Sequence, residues 1–173
     1  MFEFMDTAKS YRFMALGRQS PWPIEKEPPT PDYTKQDIEE LIGLQRVDYY
    51  KYAKVIPEPT SLDKRLGVYY KGLYYNVTQD KQIAEDEGYT DVMIAVTFDR
   101  DTLASIPVGV PFRQIGLYDS VNATADEIKY GITAEQWNNK PKEDKGLLVC
   151  IDNRQVITRQ NDQTEVVYCL ISF

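Results

Sequence analysis

Residues 146–173, GLLVCIDNRQVITRQNDQTEVVYCLISF, constrain the fold of this chain more than any other stretch. Three runs in it carry strand content: Leu147 to Ile151, Val156 to Thr158 and Val166 to Ile171. Their β-branched and aromatic side chains suit a pleated, half-buried surface. Between the first two, Asp152-Asn153-Arg154 suits a tight turn, because Asp and Asn tolerate backbone conformations that most side chains resist. The pattern predicts a meander whose last strand finds partners in the same chain or in another subunit, with Phe173 as a packing residue. No residue in the block suggests chemistry.

A chain of 173 residues fits one domain, or one domain with a long ordered arm. The formal charge of -7 is spread along the sequence. This argues against nucleic acid as a partner, because phosphate binding needs a concentrated basic surface. The chain has no histidine, which removes His-based triads, His metal sites and the commonest general base. Acidic pairs such as Asp99 with Asp101 and Glu39 with Glu40 supply carboxylates, but Asp80 to Glu87 lacks the alternate oxygen spacing of a calcium loop. The expectation is therefore no catalytic residue, no cofactor and no metal. No apolar run approaches the roughly 20 residues that cross a bilayer, and the first ten residues lack the character of an export signal, so synthesis in a cytoplasm and no membrane partner are expected. Cys150 and Cys169 sit in apolar strand-like runs and read as small buried hydrophobes.

Five prolines, Pro21, Pro23, Pro28, Pro29 and Pro31, exclude regular helix and central strand just after the strand-like Tyr11 to Leu16. Residues 17–34 therefore read as an extended arm, and Trp22 is the side chain suited to pin it, either to its own domain or to a partner. Asp37 to Leu44 reads as a short helix capped by Asp32 or Thr34, with Ile38, Leu41 and Ile42 on one face. Val47 to Ile56, Leu66 to Val77, Val92 to Phe98 and Phe112 to Tyr118 read as strands. Tyr49, Tyr50, Tyr52, Tyr69, Tyr70, Tyr74 and Tyr75 make up over half of the 13 tyrosines, which suits a half-exposed sheet face, an interface or ordinary cross-strand pairing. Ala123 to Tyr130 and Thr133 to Asn138 read as helices, the second with a Thr133–Gln136 capping pair. The fold expected is mainly β, a sandwich-like single domain over 1–173 with short peripheral helices and the Pro-rich N-terminal arm.

Three motifs, in order, resemble one family. Phe13 to Trp22, FMALGRQSPW, resembles a strand followed by Gly-Arg-Ser-x-Pro-Trp and a Pro-rich arm; Pro111 to Leu117, PFRQIGL, resembles a Gly-Phe-Arg-Gln-Ile stretch; residues 146–173 resemble the terminal block. The family is the dimer-forming baseplate wedge protein of T-even-type contractile-tailed bacteriophages, here much shortened, without its large central insert. The resemblance implies a non-enzymatic virion protein of the tail baseplate that joins other wedge proteins, forms a homodimer and helps to set baseplate geometry. Beside it, the residues nominate interface or structural anchors: Arg18, Pro21, Trp22, Tyr69, Tyr74, Phe112, Arg113, Arg154 and Phe173. For Arg113 both a bond inside its own fold and an intersubunit contact stand open, and Arg154 beside Asp152 also suits turn stabilisation. Two other readings are a connector or tail-fibre attachment module, and a small carbohydrate-binding or hydrolytic domain with Tyr69, Tyr74 and Trp137 stacking on sugar and Asp99 or Asp101 acting on it.

Overall fold

The computed structural model describes residues 10–58, 67–98, 106–158 and 165–172, so Phe173, Asp99 and Asp101 lie outside the described residues. In chain order the strands and helices are β1 (Tyr11–Gly17), β2 (Gly43–Arg46), β3 (Tyr49–Ile56), β4 (Gly67–Tyr70), β5 (Leu73–Thr78), α1 (Lys81–Asp86), β6 (Asp91–Phe98), β7 (Pro111–Val121), α2 (Ala125–Tyr130), β8 (Ile132–Thr133), α3 (Ala134–Asn139), β9 (Leu147–Thr158) and β10 (Glu165–Ser172). The chain is mainly β with short helices, as its composition predicts. It divides into two compact units, residues 1–47 with 97–165 and residues 48–96 with 166–173. Each unit is built on one five-stranded sheet, and every pairing with a defined register is antiparallel.

The first sheet has the order β8-β2-β1-β7-β9. Alternation along β7 puts Phe112, Gln114, Gly116 and Tyr118 on one face and Arg113, Ile115 and Leu117 on the other. The first face carries the core of the unit, in which Phe13, Ala15, Ile38, Leu44, Tyr118, Ile132, Trp137 and Ile151 pack together. The Trp137 indole meets the Tyr118 ring edge-on at 4.8 Å, the arrangement aromatic quadrupoles prefer. Helices α2 and α3 lie beside this core, and both start with a reciprocal capping box, Thr124 with Glu127 and Thr133 with Gln136. The predicted Thr133 cap is thus present.

Three expectations fail for identifiable reasons. Asp152-Asn153-Arg154 is no turn: β9 runs through it for 12 residues, because the 11-residue β7 offers a continuous partner, pairing Gln114 with Asn153 and Ile115 with Asp152. Nor do the last strands form one meander, since β9 closes the first sheet while β10 pairs with β6 in the second. Residues 37–42 form no helix. Their N–H groups are captured elsewhere, Ile38 N–H donating to the Tyr118 hydroxyl at 3.3 Å and Glu39 N–H to Gln114 Oε1 at 2.8 Å. With those donors spent, the helical ladder has no start.

The second sheet has the order β10-β6-β3-β5-β4. Where a single strand Leu66 to Val77 is predicted, the described residues from Gly67 onward form a hairpin, folded at Lys71-Gly72 with φ of 48° and 84°. Consecutive left-handed residues match the twist of flanking strands, and glycine takes that conformation without strain. Ala53, Tyr75 and Met93 centre its small core.

Ile38 sits against β1 and β7 where both strands carry glycine. A Cβ on Gly116 would lie 2.6 Å from Ile38 Cγ1, and one on Gly17 would lie 2.5 Å from the Glu39 carbonyl oxygen. Gly17→Ala is therefore expected to cost about 3 kcal/mol, at the upper end of overpacking effects, read as a fall in the urea midpoint. Adding Ile38→Ala should not rescue it, because the Glu39 carbonyl remains in place.

Candidate functional site

The predicted arm is a closed loop. Its ends meet where Arg18 N–H donates to the Glu39 carbonyl at 2.7 Å, and Ile42 N–H donates to the Leu16 carbonyl at 2.8 Å. Arg18 takes a left-handed φ of 52°, which turns the chain out of β1 at once. Its guanidinium pairs with the Glu39 carboxylate and stacks on the Trp22 ring with 4.0 Å to the ring centre. Lys35 pairs with the other Glu39 oxygen, and Glu40 Oε2 accepts from Gln19 N–H at 3.0 Å and Ser20 N–H at 2.9 Å. The loop between these closures has no helix or strand, as its prolines require.

The far side of the loop is fastened to β7 and β9. Trp22 is buried, and its indole N–H donates to the Arg154 carbonyl at 2.7 Å. Glu25 accepts from Trp22 N–H at 3.1 Å and from Arg113 Nε at 2.6 Å, while Arg113 also donates to the Gln19 carbonyl. Asn153 Nδ2 donates to the Pro29 carbonyl at 2.9 Å and Gln155 Nε2 to the Lys26 carbonyl at 3.1 Å. A relay of amides runs beneath: Gln114 Nε2 donates to Asn153 Oδ1 at 2.9 Å, while Gln114 Oε1 holds the Glu39 N–H. Gln114 is almost fully buried, so its donor and acceptor both need these partners. Polar side chains thus stand in for a neighbouring strand along 153–156, the edge of the first sheet. Unpaired strand edges recruit other chains, and covering them is a common protection.

Three carboxylates carry the fastening. At Glu25, burial pushes the pKa up, but bonds from Arg113 and the Trp22 N–H outweigh it and hold the group below the usual 4.5. Glu39 is lowered first by its bond to Lys35, against burial and with help from Arg18. Glu40 is lowered first by the Ser20 N–H. Within the core, the Tyr118 phenol is pushed well up by burial and by Asp37, to which it donates at 3.1 Å, so it stays a neutral donor.

Of the nominated residues, Arg18, Trp22, Arg113 and Arg154 come together here. Arg113 bonds a carboxylate and a carbonyl of its own unit, and Arg154 Nε bonds Asp152 at 2.8 Å within a strand rather than a turn. Phe112 is buried on β7, and Pro21 is exposed on the loop. Tyr69 and Tyr74 belong to the second unit, where they face each other across the β4–β5 hairpin with ring centres 4.9 Å apart. Phe173 lies outside the described residues. Trp137 is 2% exposed in the core and offers no stacking platform. Sequence reasoning missed the fastening roles of Glu25, Glu39, Glu40, Gln114, Asn153 and Gln155; the last three are polar residues inside the quoted motifs, whereas the three glutamates lie outside them and leave no local signal of such a role. Among the described residues no cluster of His, Cys, Asp or Glu could hold a metal, and no helix is long and apolar enough to cross a membrane.

Polar groups of β7 and β9 are thus spent on holding a loop across the edge of the first sheet. The sequence matches the family described as baseplate wedge 3 tail fiber network component over residues 4–173, and the chain belongs to that family of phage baseplate structural proteins. It is also similar to "Virion protein 3" of Enterococcus phage phiEF24C, 26% identical over 152 residues that make up 87% of this chain and 77% of that protein.

Removing Trp22 discards an indole hydrogen bond of ~1 kcal/mol, a cation–π contact of similar size and a buried ring. Trp22→Ala should accordingly speed tryptic cleavage at Lys26 by roughly tenfold or more, since cutting requires local opening of the loop. Acid should open the loop too. Carboxylates with lowered folded pKa values contribute stability above 4.5 that is lost as pH falls through those lowered values. Cleavage by an acid-active protease within 18–34 should thus rise below pH 4.5, before near-UV signals of the core are lost, and Glu25→Gln should raise cleavage even at neutral pH.

Proposed function

We propose that this protein is a baseplate wedge subunit that joins neighbouring wedge proteins and helps to set baseplate geometry during assembly and sheath contraction. The observation that carries this reading is the family match across residues 4–173, which spans both compact units. The geometry suits the role. A wedge subunit must keep its shape under load, and the 18–39 loop is tied at its base and along its span rather than left mobile. Resemblance to the dimer-forming T-even wedge subunit supports a homodimer as the working unit, made late in infection in the host cytoplasm. Its partners are other baseplate proteins rather than nucleic acid or membrane, in keeping with a chain of charge -7.

A second reading is favoured by the words "tail fiber network" in the family description: attachment of the tail fibres. A reconstruction of the intact particle separates the two. Density for this chain repeating around the baseplate, between wedge subunits, is the expected result. Density confined to a fibre or its collar would replace the first reading with the second, and absence from the tail would overturn both.

A further inference from the structure

Two exposed apolar features stand out, one on each compact unit. The first is the crest of the 18–39 loop. Trp22 points into the fold, where its indole N–H reaches the Arg154 carbonyl, and its neighbours Pro21 and Pro23 are exposed. Ile24 follows, 59% exposed, at the start of a turn in which Glu27 N–H donates to the Ile24 carbonyl at 3.1 Å. Fastened from beneath, this crest needs no further ordering when it meets a surface. The second feature lies on β3, β5 and β4. Ile56 pairs with Tyr74 and Tyr74 with Tyr69, so the three side chains form one row on one face of the sheet. Tyr69 is 62% exposed, with its ring centre 4.9 Å from that of Tyr74. Gly67, on the same face of β4, adds no side chain, and a Cβ there would lie 3.9 Å from Ile56 Cδ1, so the row stays low on that side.

Chemistry, size and charge select what covers the row. Phenol rings present broad apolar faces at small entropic cost, and proline-bearing segments on a fixed backbone are an established complement of aromatic platforms. Three side chains fall far short of the ~800 Å² per partner of a stable globular interface, so the row suits one projecting turn. The loop that carries the crest is acidic, with Glu25, Glu27, Asp32, Asp37 and Glu39 against Arg18, Lys26 and Lys35. On the face that holds the row, Lys54 is the one charged residue that β3, β5 and β4 supply. A negative turn thus meets a weakly positive face, which favours the encounter in a chain of charge -7. We infer that the Pro21, Pro23 and Ile24 crest of one copy docks on the Ile56, Tyr74 and Tyr69 row of a second copy. The contact joins unlike surfaces, so each copy keeps one crest and one row for further neighbours, and repetition gives a ring or a filament. This rests on the reading of the protein as a subunit that joins its neighbours.

The test is sedimentation velocity of the full chain at rising concentration, with two variants, Ile24→Asp in the crest and Tyr69→Ala in the row. Both positions are exposed, so the changes leave the cores intact. Wild-type chain should associate in steps that grow with concentration, and each variant alone should lose that growth, with apparent association weakened roughly tenfold or more. An equal mixture of the two variants should regain a single association step, because one intact row and one intact crest remain between them. A contact between like surfaces cannot give that recovery, and a homodimer through another face persists in both variants as a constant baseline. The docking is overturned by a wild-type chain whose size does not change with concentration, by variants that associate as the wild type does, or by a mixture that regains nothing. The outcome is independent of the particle reconstruction. Recovery in the mixture by a chain absent from the baseplate would leave the contact and remove its setting, whereas a chain placed in the wedge without such association would refute the contact alone.

Discussion

The first unit depends on how closely one side chain can approach its sheet. Ile38 rests on β1 and β7 where Gly17 and Gly116 leave out their side chains, and no other residue type would admit it at that depth. From this seat follow the Glu39 N–H on Gln114, the Ile38 N–H on Tyr118 and the meeting of Glu39 with Arg18. The loop 18–39 is closed because Ile38 is buried, and its far side can then be fixed by Trp22, Glu25 and Arg113. Steric economy at two glycines comes before the polar network. Hydrogen bonds select the register of a segment that packing has already brought to the surface.

Strands and capped helices were legible from sequence because their signals are local. β-branched and aromatic runs marked β3, β6 and β7, and Thr133 with Gln136 marked the start of α3 to the residue. What was not legible was decided by partners far away in the chain. Asp152-Asn153-Arg154 has turn composition, yet its partner β7 and the overlying loop hold it extended, with Trp22 reaching across 132 positions to Arg154. Ile38, Leu41 and Ile42 have helical spacing, but buried acceptors on β7 compete successfully for the backbone donors. The loop was legible as proline-rich but not as closed, because closure depends on contacts 20 or 21 positions apart, Arg18 with Glu39 and Glu40 with Gln19 and Ser20, that leave no periodic trace.

The candidate site illustrates the same division. Trp22, Arg113 and Arg154 stood out by type, being large or forked side chains, and the structure brings them together. Glu25, Gln114 and Asn153 have ordinary composition and acquire their importance only from where the fold puts them. Motifs that seemed to be separate landmarks, GRQSPW, PFRQIGL and the DNR triplet, turn out to be three walls of one fastening. That is why their order along the chain carried information that none of them carried singly.

The assignment of β9 and β10 to different sheets also bears on timing. A ribosome delivers every strand of the first sheet before it delivers β10, whereas β3 to β6, made much earlier, wait for β10 to complete the second. The second sheet is therefore the last to close although most of it is translated before β7. Until then β6 presents an apolar edge, with Met93, Ile94 and Ala95 in mid-strand. The period of greatest exposure to mispairing therefore lasts until β10 has been made, and its length is set by how quickly that eight-residue strand finds its place.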